Sequence, residues 1–176
     1  MAYQMKPMPL QWRGLDIHGT ESFPIASALH QELESWCGTP YMIGQQQKGV
    51  GVDCVRFVAA IIGWATQKTI DIKLLPPDAA LHNRKTAIAA MKKLSRAFDP
   101  LEPIYSMGET TVEPGDIIVV GPHEGGPGHA IIVGCLKNWF YEAGSKRVQR
   151  IGAGLEAGVK VFEVYRHKLR HSWPTT

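Results

Sequence analysis

The sequence predicts an α+β fold in which N-terminal helices pack on an antiparallel β-sheet. Apolar residues recur at helical spacing in the first half of the chain, but from about Val112 they follow the shorter period of strands. Glycine, proline and asparagine separate the strand-like segments from one another. Helices followed by strands, without βαβ alternation, are typical of the α+β class.

One domain accounts for the whole chain. Its 176 residues, 44% of them hydrophobic, are enough for one sizeable core and too few for two. We therefore predict a single domain over residues 1–176, in which 1–22 form an irregular arm that contains Pro7 and Pro9. No shift in composition marks a linker, and the sequence contains no internal repeat.

Two helices are predicted before residue 70. Ser22 is a candidate N-cap for the first helix, which begins near Pro24 and ends at the Gly-Thr-Pro sequence of residues 38–40. The second helix begins at Asp53 or Cys54 and is expected to be buried. The apolar positions are Ile25, Leu29, Leu33 and Trp36 in the first helix, and Val55, Val58, Ile61, Ile62 and Ala65 in the second.

A turn at residues 73–78 and a third amphipathic helix at 84–98 complete the helical half. The second half is predicted to form an antiparallel sheet, because its apolar runs are short and are bounded by turn residues. The four predicted strands are residues 117–120, 129–135, 139–142 and 159–166.

Charge and hydropathy exclude several classes of function. The net charge is +3 and the lysines and arginines are scattered, so we expect no nucleic-acid partner. No segment has the roughly 18 consecutive apolar residues that span a bilayer, and residues 1–20 lack the apolar block of a signal peptide. We therefore expect synthesis in the cytoplasm without a signal peptide, and no membrane insertion.

The three cysteines, Cys37, Cys54 and Cys135, form no CxxC pair and are odd in number, which is typical of neither a disulfide framework nor a zinc knuckle. A metal site needs three or four converging ligands, and the histidines show no HExxH motif, so no metal is predicted. One reactive thiol is the simpler hypothesis, and we interpret Cys37 and Cys135 as structural.

Cys54 is the candidate nucleophile because it stands at a predicted helix N-terminus. Free backbone N–H groups and the helix dipole stabilise a thiolate at such a position. The alternative is that Cys54 is a small apolar residue, buried in the helix and inert. The polar, glycine-rich approach at residues 49–53 favours the nucleophile.

His129 is the candidate general base. It opens an apolar strand behind the glycine-rich loop of residues 123–128, where an imidazole can face a cleft. The alternative is an ordinary histidine at a strand edge. His123, in the loop itself, is the second choice as base, or a residue of a lid, because no strand holds it rigid.

Four segments carry a family resemblance when they are taken in order. They are Gly-Thr-Pro-Tyr-Met-Ile-Gly at 38–44, Asp-Cys at 53–54, Pro-Gly-Asp-Ile-Ile at 114–118 and Gly-His-Ala-Ile-Ile-Val-Gly at 128–134. The chain thereby resembles the NlpC-type cell-wall peptidases over nearly its whole length. The resemblance implies a papain-like α+β core, hydrolysis of amide bonds at D-γ-glutamyl residues in peptidoglycan stem peptides, and neither a metal nor an organic cofactor.

The resemblance also implies roles for further residues. Glu142 occupies the place of the polar residue that orients the base, and Tyr41 that of a tyrosine that supports the oxyanion or holds the substrate. The alternatives are a solvated glutamate at a strand end and an ordinary half-buried aromatic residue. Asp53 matches the acidic residue before the cysteine, and it either binds a substrate amine or caps the helix.

Arg56 departs from the family pattern, in which small residues follow the cysteine. It either faces the cleft and binds a substrate carboxylate, or points to solvent on the first turn of the helix. Because of this departure, the resemblance identifies the nucleophile more firmly than it identifies the substrate.

The sequence therefore predicts a cysteine hydrolase with a triad of Cys54, His129 and Glu142, and with a peptidoglycan peptide as its substrate. The enzyme would reach that substrate by one of three routes. A phage could deliver it to the envelope, a secretion machine could export it, or it could act on wall fragments that are recycled in the cytoplasm. An inhibitor or immunity protein and the oligomeric state are left open. Two alternatives are an acyltransferase or thioesterase on the same core, and a non-catalytic phage structural module.

Overall fold

The computed structural model contains helices packed on an antiparallel sheet. The described residues are 11–12, 24–68, 101–105, 111–122, 129–134, 139–152, 159–167 and 173–174. Within them the class is α+β, as the sequence predicts. Most of the predicted N-terminal arm, the turn at 73–78, the helix at 84–98, His123 and Cys135 lie outside the described residues.

Both helices predicted before residue 70 form where their apolar spacing places them. Helix α1 covers Pro24–Trp36 and buries an apolar stripe that includes Leu29 and Leu33. Helix α2 covers Cys54–Thr66 and is buried on most of its surface. Gln67 ends α2 in the left-handed conformation, and its N–H donates to carbonyls of the last turn. Neither described helix has the length and apolar content needed to cross a membrane.

The strands form one large sheet and two small ones. In chain order they are β1 Gln11–Trp12, β2 Gln46–Gln47, β3 Gly51–Val52, β4 Leu101–Tyr105, β5 Thr111–Val112, β6 Ile117–Pro122, β7 His129–Val133, β8 Trp139–Ala143, β9 Val148–Gly152 and β10 Val159–His167. The large sheet is antiparallel with the order β4-β10-β6-β7-β8-β9. Strand β1 pairs with β5 in parallel, and β2 pairs with β3 as a short hairpin.

The interior of the large sheet is the part that the sequence predicts. Strands β6, β7, β8 and β10 match the four predicted strands, whereas the two edge strands, β4 and β9, are not predicted. Residues 117–120 of β6 are all buried, so both faces of the sheet are covered at its centre. Helix α2 packs on β7 and β8.

The Pro-Gly-Asp segment before β6 is a tight turn fixed by a buried carboxylate. The N–H of Asp116 donates to the carbonyl of Glu113 at 3.0 Å, and Gly115 has the φ of +85° that a type II turn requires at its third residue. The buried Asp116 side chain accepts hydrogen bonds from the Glu113 N–H and from the Arg166 guanidinium. This motif therefore has a structural explanation in the chain.

Replacing Gly115 with alanine (G115A) is expected to lower the free energy of unfolding by about 2–4 kcal/mol. The positive φ disfavours a side chain, and an added Cβ would lie 2.6 Å from Cζ3 of the buried Trp173. Urea denaturation measures the loss. Gly152→Ala is the matched control, because nothing lies within 4 Å of a Cβ there, and it should change stability by less than about 0.5 kcal/mol. Equal losses would contradict the expected clash.

Candidate active site

The candidate nucleophile Cys54 is the first residue of α2, and its side chain is 2% exposed. Asp53 caps the helix by accepting a hydrogen bond from the Arg56 N–H at 2.8 Å. The sulfur therefore lies at the helix end where free N–H groups and the dipole favour negative charge. Cys54 is thus buried, as the alternative interpretation expects, and it also lies at the helix start, as the nucleophile interpretation expects.

Asp53 and Arg56 form a buried ion pair at the start of the helix. Nη1 of the guanidinium lies 2.6 Å from Oδ2 of the carboxylate, and the two side chains are 4% and 1% exposed. The same Oδ2 accepts a hydrogen bond from the Gly44 N–H at 2.9 Å. Asp53 thus has the predicted capping position, and Arg56 is buried instead of pointing to solvent. Substrate contacts by either residue stay predictions, while these contacts engage both side chains in holding the helix start.

Backbone contacts hold Tyr41 beside the nucleophile. Its N–H donates to the carbonyl of Lys146 at 2.9 Å, and it forms a parallel bridge to Val52, two residues before Cys54. Burial, followed by the charges of Cys54 and Asp53, raises the pKa of Tyr41 to about 12. The phenol is therefore protonated at neutral pH and keeps an O–H donor near the sulfur.

His129 and Glu142 meet across neighbouring strands. His129 is the first residue of β7, and Glu142 lies in β8, which pairs with β7. The Nε2 atom of the imidazole is 2.8 Å from Oε2 of the carboxylate, and the side chains are 24% and 16% exposed. Partial shielding from water strengthens such a contact. The structure thus brings these two residues into the hydrogen-bond contact that their predicted roles require.

The charge on His129 depends on both neighbours. Burial lowers the pKa of His129, but hydrogen bonds and charge interactions with Cys54 and Glu142 outweigh burial and raise that pKa from 6.5 to about 9. The hydrogen bond to His129 in turn lowers the pKa of Glu142, with burial opposing and Gln149 assisting. At neutral pH the ring is therefore an imidazolium between an ionised carboxylate and the sulfur. An imidazolium beside a thiol is the setting in which a cysteine attacks as its thiolate.

Gln149 and Gly144 support Glu142, and the sequence predicts neither. Gln149 lies directly opposite Glu142 in β9, and its Nε2 donates to Oε1 of the carboxylate at 2.8 Å. A Cβ on Gly144 would lie 2.9 Å from Oε1 and 3.1 Å from Nε2 of Gln149, so the glycine leaves room for this hydrogen bond. The signal for both residues is cross-strand register, which one sequence does not contain.

Cys37 has a different environment from Cys54. It follows α1, its residue is exposed, and its sulfur lies 3.8 Å from the Leu33 carbonyl. Partial burial of the thiol, followed by the nearby Glu34 carboxylate, raises the pKa of Cys37. A thiol that holds its proton is a weak nucleophile. The interpretation of Cys37 as structural stays a prediction, and its different environment makes Cys37 a useful control.

Within the described parts of the chain, no group of three or more His, Cys, Asp or Glu side chains is placed to hold a metal ion. His123, the second choice as base, is not among the described residues, so only His129 has a geometry to report. Comparison of the whole sequence with protein-family models and with curated protein sequences found no match.

Proposed function

We propose that the chain is a papain-like cysteine hydrolase of the NlpC type that cleaves amide bonds at D-γ-glutamyl linkages in peptidoglycan stem peptides. The observation that carries the proposal is the 2.8 Å contact between His129 and Glu142, with Cys54 at a helix start interacting with the same imidazole. A thiol, an imidazole and a carboxylate in this order act as nucleophile, base and orienting group. The four ordered segments that resemble the family supply the substrate class.

The reaction begins when the Cys54 thiolate attacks the scissile carbonyl carbon and forms a C–S bond. As the C–N bond breaks, the His129 imidazolium gives its proton to the leaving amine, and an acyl thioester remains on the cysteine. Water then attacks the thioester while His129 takes a proton from it. The C–S bond breaks, the acid leaves, and the thiolate and imidazolium are restored, so that one water is consumed for each amide bond.

Two hydrogen-bond donors are available for the negative oxygen of the tetrahedral intermediate. The Cys54 N–H belongs to the first turn of α2, where N–H groups have no partner within the helix. The Tyr41 phenol keeps its proton up to a pKa of about 12 and is held next to the cysteine segment. Donors fixed before the reaction stabilise such an oxyanion by several kcal/mol, on the order of 3 for one donor.

Acyl transfer or thioester hydrolysis on the same nucleophile is the second candidate. Met42, Ile43 and Val50 are each about half exposed, and they lie in the segment between Tyr41 and the helix that carries Cys54. Exposed apolar side chains in this segment are candidates for binding an apolar group of a substrate, such as an acyl chain.

Digestion of peptidoglycan fragments, with the products identified by mass spectrometry, tests the proposal. The wild-type protein is expected to cleave one type of amide bond, and the Cys54→Ala variant is expected to cleave none. Cys37→Ala is the matched control, because it removes the other described cysteine and should retain full activity.

The outcomes separate the candidates. Cleavage by the Cys54→Ala variant, or no cleavage by the wild type, would contradict the peptidase. If the wild type is inactive but iodoacetamide still labels Cys54, acyl substrates become the better hypothesis. If Cys54 is neither active nor labelled in the folded protein, a non-catalytic module is the remaining one.

A further inference from the structure

The charges of the described side chains are nearly all matched by partners. Every aspartate and glutamate whose side chain is described contacts a cationic residue. The pairs are Glu32–Lys48, Glu34–Arg150, Asp53–Arg56, Glu142–His129, and Arg166 with both Glu113 and Asp116. A described side chain whose charge has no partner therefore contributes most to the electrostatic potential around it.

Among the lysines and arginines whose side chains are described, three have no ion pair: Lys68, Lys146 and Arg147. Lys68 lies beyond the C-terminal end of α2, about 20 Å along the helix from Cys54 at the usual rise per residue. Lys146 and Arg147 are adjacent and exposed in the turn between β8 and β9.

The turn that carries Lys146 and Arg147 is fixed beside the candidate active site. The Lys146 carbonyl accepts from the Tyr41 N–H at 2.9 Å, and Arg147 forms an antiparallel bridge to Pro40. The Gly144 N–H donates to the Arg147 carbonyl at 3.1 Å and closes the turn. The turn also follows directly on β8, the strand that contains Glu142. It therefore lies between the segment of Tyr41 and the segment that orients the base.

We propose that Lys146 and Arg147 form a subsite for an anionic group of the substrate, a carboxylate close to the bond that Cys54 attacks. The subsite rests on the proposed function, because it serves the same nucleophile. A guanidinium binds a carboxylate through two parallel N–H···O bonds, and an ammonium binds it as a point charge. Their field extends about 8–10 Å at physiological ionic strength, which is two or three residues of an extended peptide.

Iodoacetate and iodoacetamide test the subsite, because they alkylate the same thiol and differ in charge. Rate constants for Cys54 are measured with each reagent at low ionic strength, with the labelled peptide resolved by mass spectrometry. The ratio of iodoacetate to iodoacetamide rates is expected to fall about 3- to 10-fold in the Lys146→Ala, Arg147→Ala double variant. The difference from the wild type should shrink at high salt, where the Debye length is about 3 Å at 1 M.

Lys68→Ala is the matched control, since it removes an exposed, unpaired cation far from the nucleophile. It should leave the ratio at the wild-type value, and a fall comparable to that of the double variant would overturn the subsite by assigning the effect to net charge. An unchanged ratio in the double variant, with both reagents still reacting, would overturn the subsite and leave the proposed function standing. If Cys54 of the wild type reacts with neither reagent, the proposed function fails and the subsite fails with it.

Discussion

Asparagine in place of Asp53 (D53N) is expected to lower the free energy of unfolding by about 3–5 kcal/mol. The amide oxygen still caps α2, but the buried Arg56 guanidinium loses the carboxylate that lies 2.6 Å away. If the amide oxygen takes the position of Oδ1, the amide NH2 group takes the position of Oδ2. It then cannot accept the hydrogen bond that the Gly44 N–H donates in the wild type. Urea denaturation measures the loss.

Two further variants show whether the buried pair is the cause. Arg150→Gln removes an exposed ion pair, in which the Arg150 and Glu34 side chains are 38% and 37% exposed, and it should cost less than about 1 kcal/mol. Adding Arg56→Met to D53N removes the second buried charge and should recover part of the lost stability. If D53N costs no more than Arg150→Gln, the pair does not hold the helix start.

Glutamine in place of Glu142 (E142Q) is expected to lower the pKa of His129 from its value of about 9. The amide can keep a hydrogen bond to the ring, but it removes the negative charge that stabilises the imidazolium. NMR titration of the ring measures this pKa directly. For the proposed reaction, turnover should fall by about 10²–10⁴-fold, because His129 would lose much of its contribution as general acid and base.

The same variant should change how stability depends on pH. In the wild type, the contribution of His129 is complete below about pH 6.5 and is lost as the pH rises through about 9, because the folded pKa is raised. The contribution of Glu142 is present above about pH 4.5 and is lost as the pH falls through its lowered pKa. E142Q should weaken both declines, as measured by urea unfolding across this range.

Glu34→Gln is the control for E142Q. It makes the same change from carboxylate to amide, but its side chain contacts Tyr141 and Arg150 instead of His129. It should leave the pKa of His129 unchanged. A His129 pKa that is the same in E142Q as in the wild type would show that the carboxylate does not control the charge on the ring.

The sequence predicts the strands that are buried on both faces and misses those at the edges. Interior strands such as β6 are continuous runs of apolar, β-branched residues, which stand out in the sequence. Edge strand β9 has exposed Gln149 and Arg150, and edge strand β4 contains Pro103, which removes a ladder hydrogen bond. Edge strands commonly carry charged residues or proline, which prevent pairing with another chain. These residues interrupt the apolar pattern by which a strand is predicted.

The candidate site could be predicted only as far as local chemistry allows. Cys54 at a helix start and His129 at a strand start follow from the pattern around each residue. The burial of Arg56 depends on the Gly-rich segment that folds over Asp53, and Gln149 depends on the pairing of β8 with β9. These are tertiary contacts, so residue spacing does not predict them.

The distance along the chain between Cys54 and its partners affects the nascent protein. His129 is synthesised 75 residues after the cysteine (129 − 54), and Glu142 later still. Until β7 and β8 have left the ribosome and paired, the thiol has a helix beside it but no imidazolium. For the proposed hydrolase, this order of synthesis leaves the thiol without its general base during translation, and a chain truncated before β7 would be expected to carry the nucleophile without catalysing the reaction.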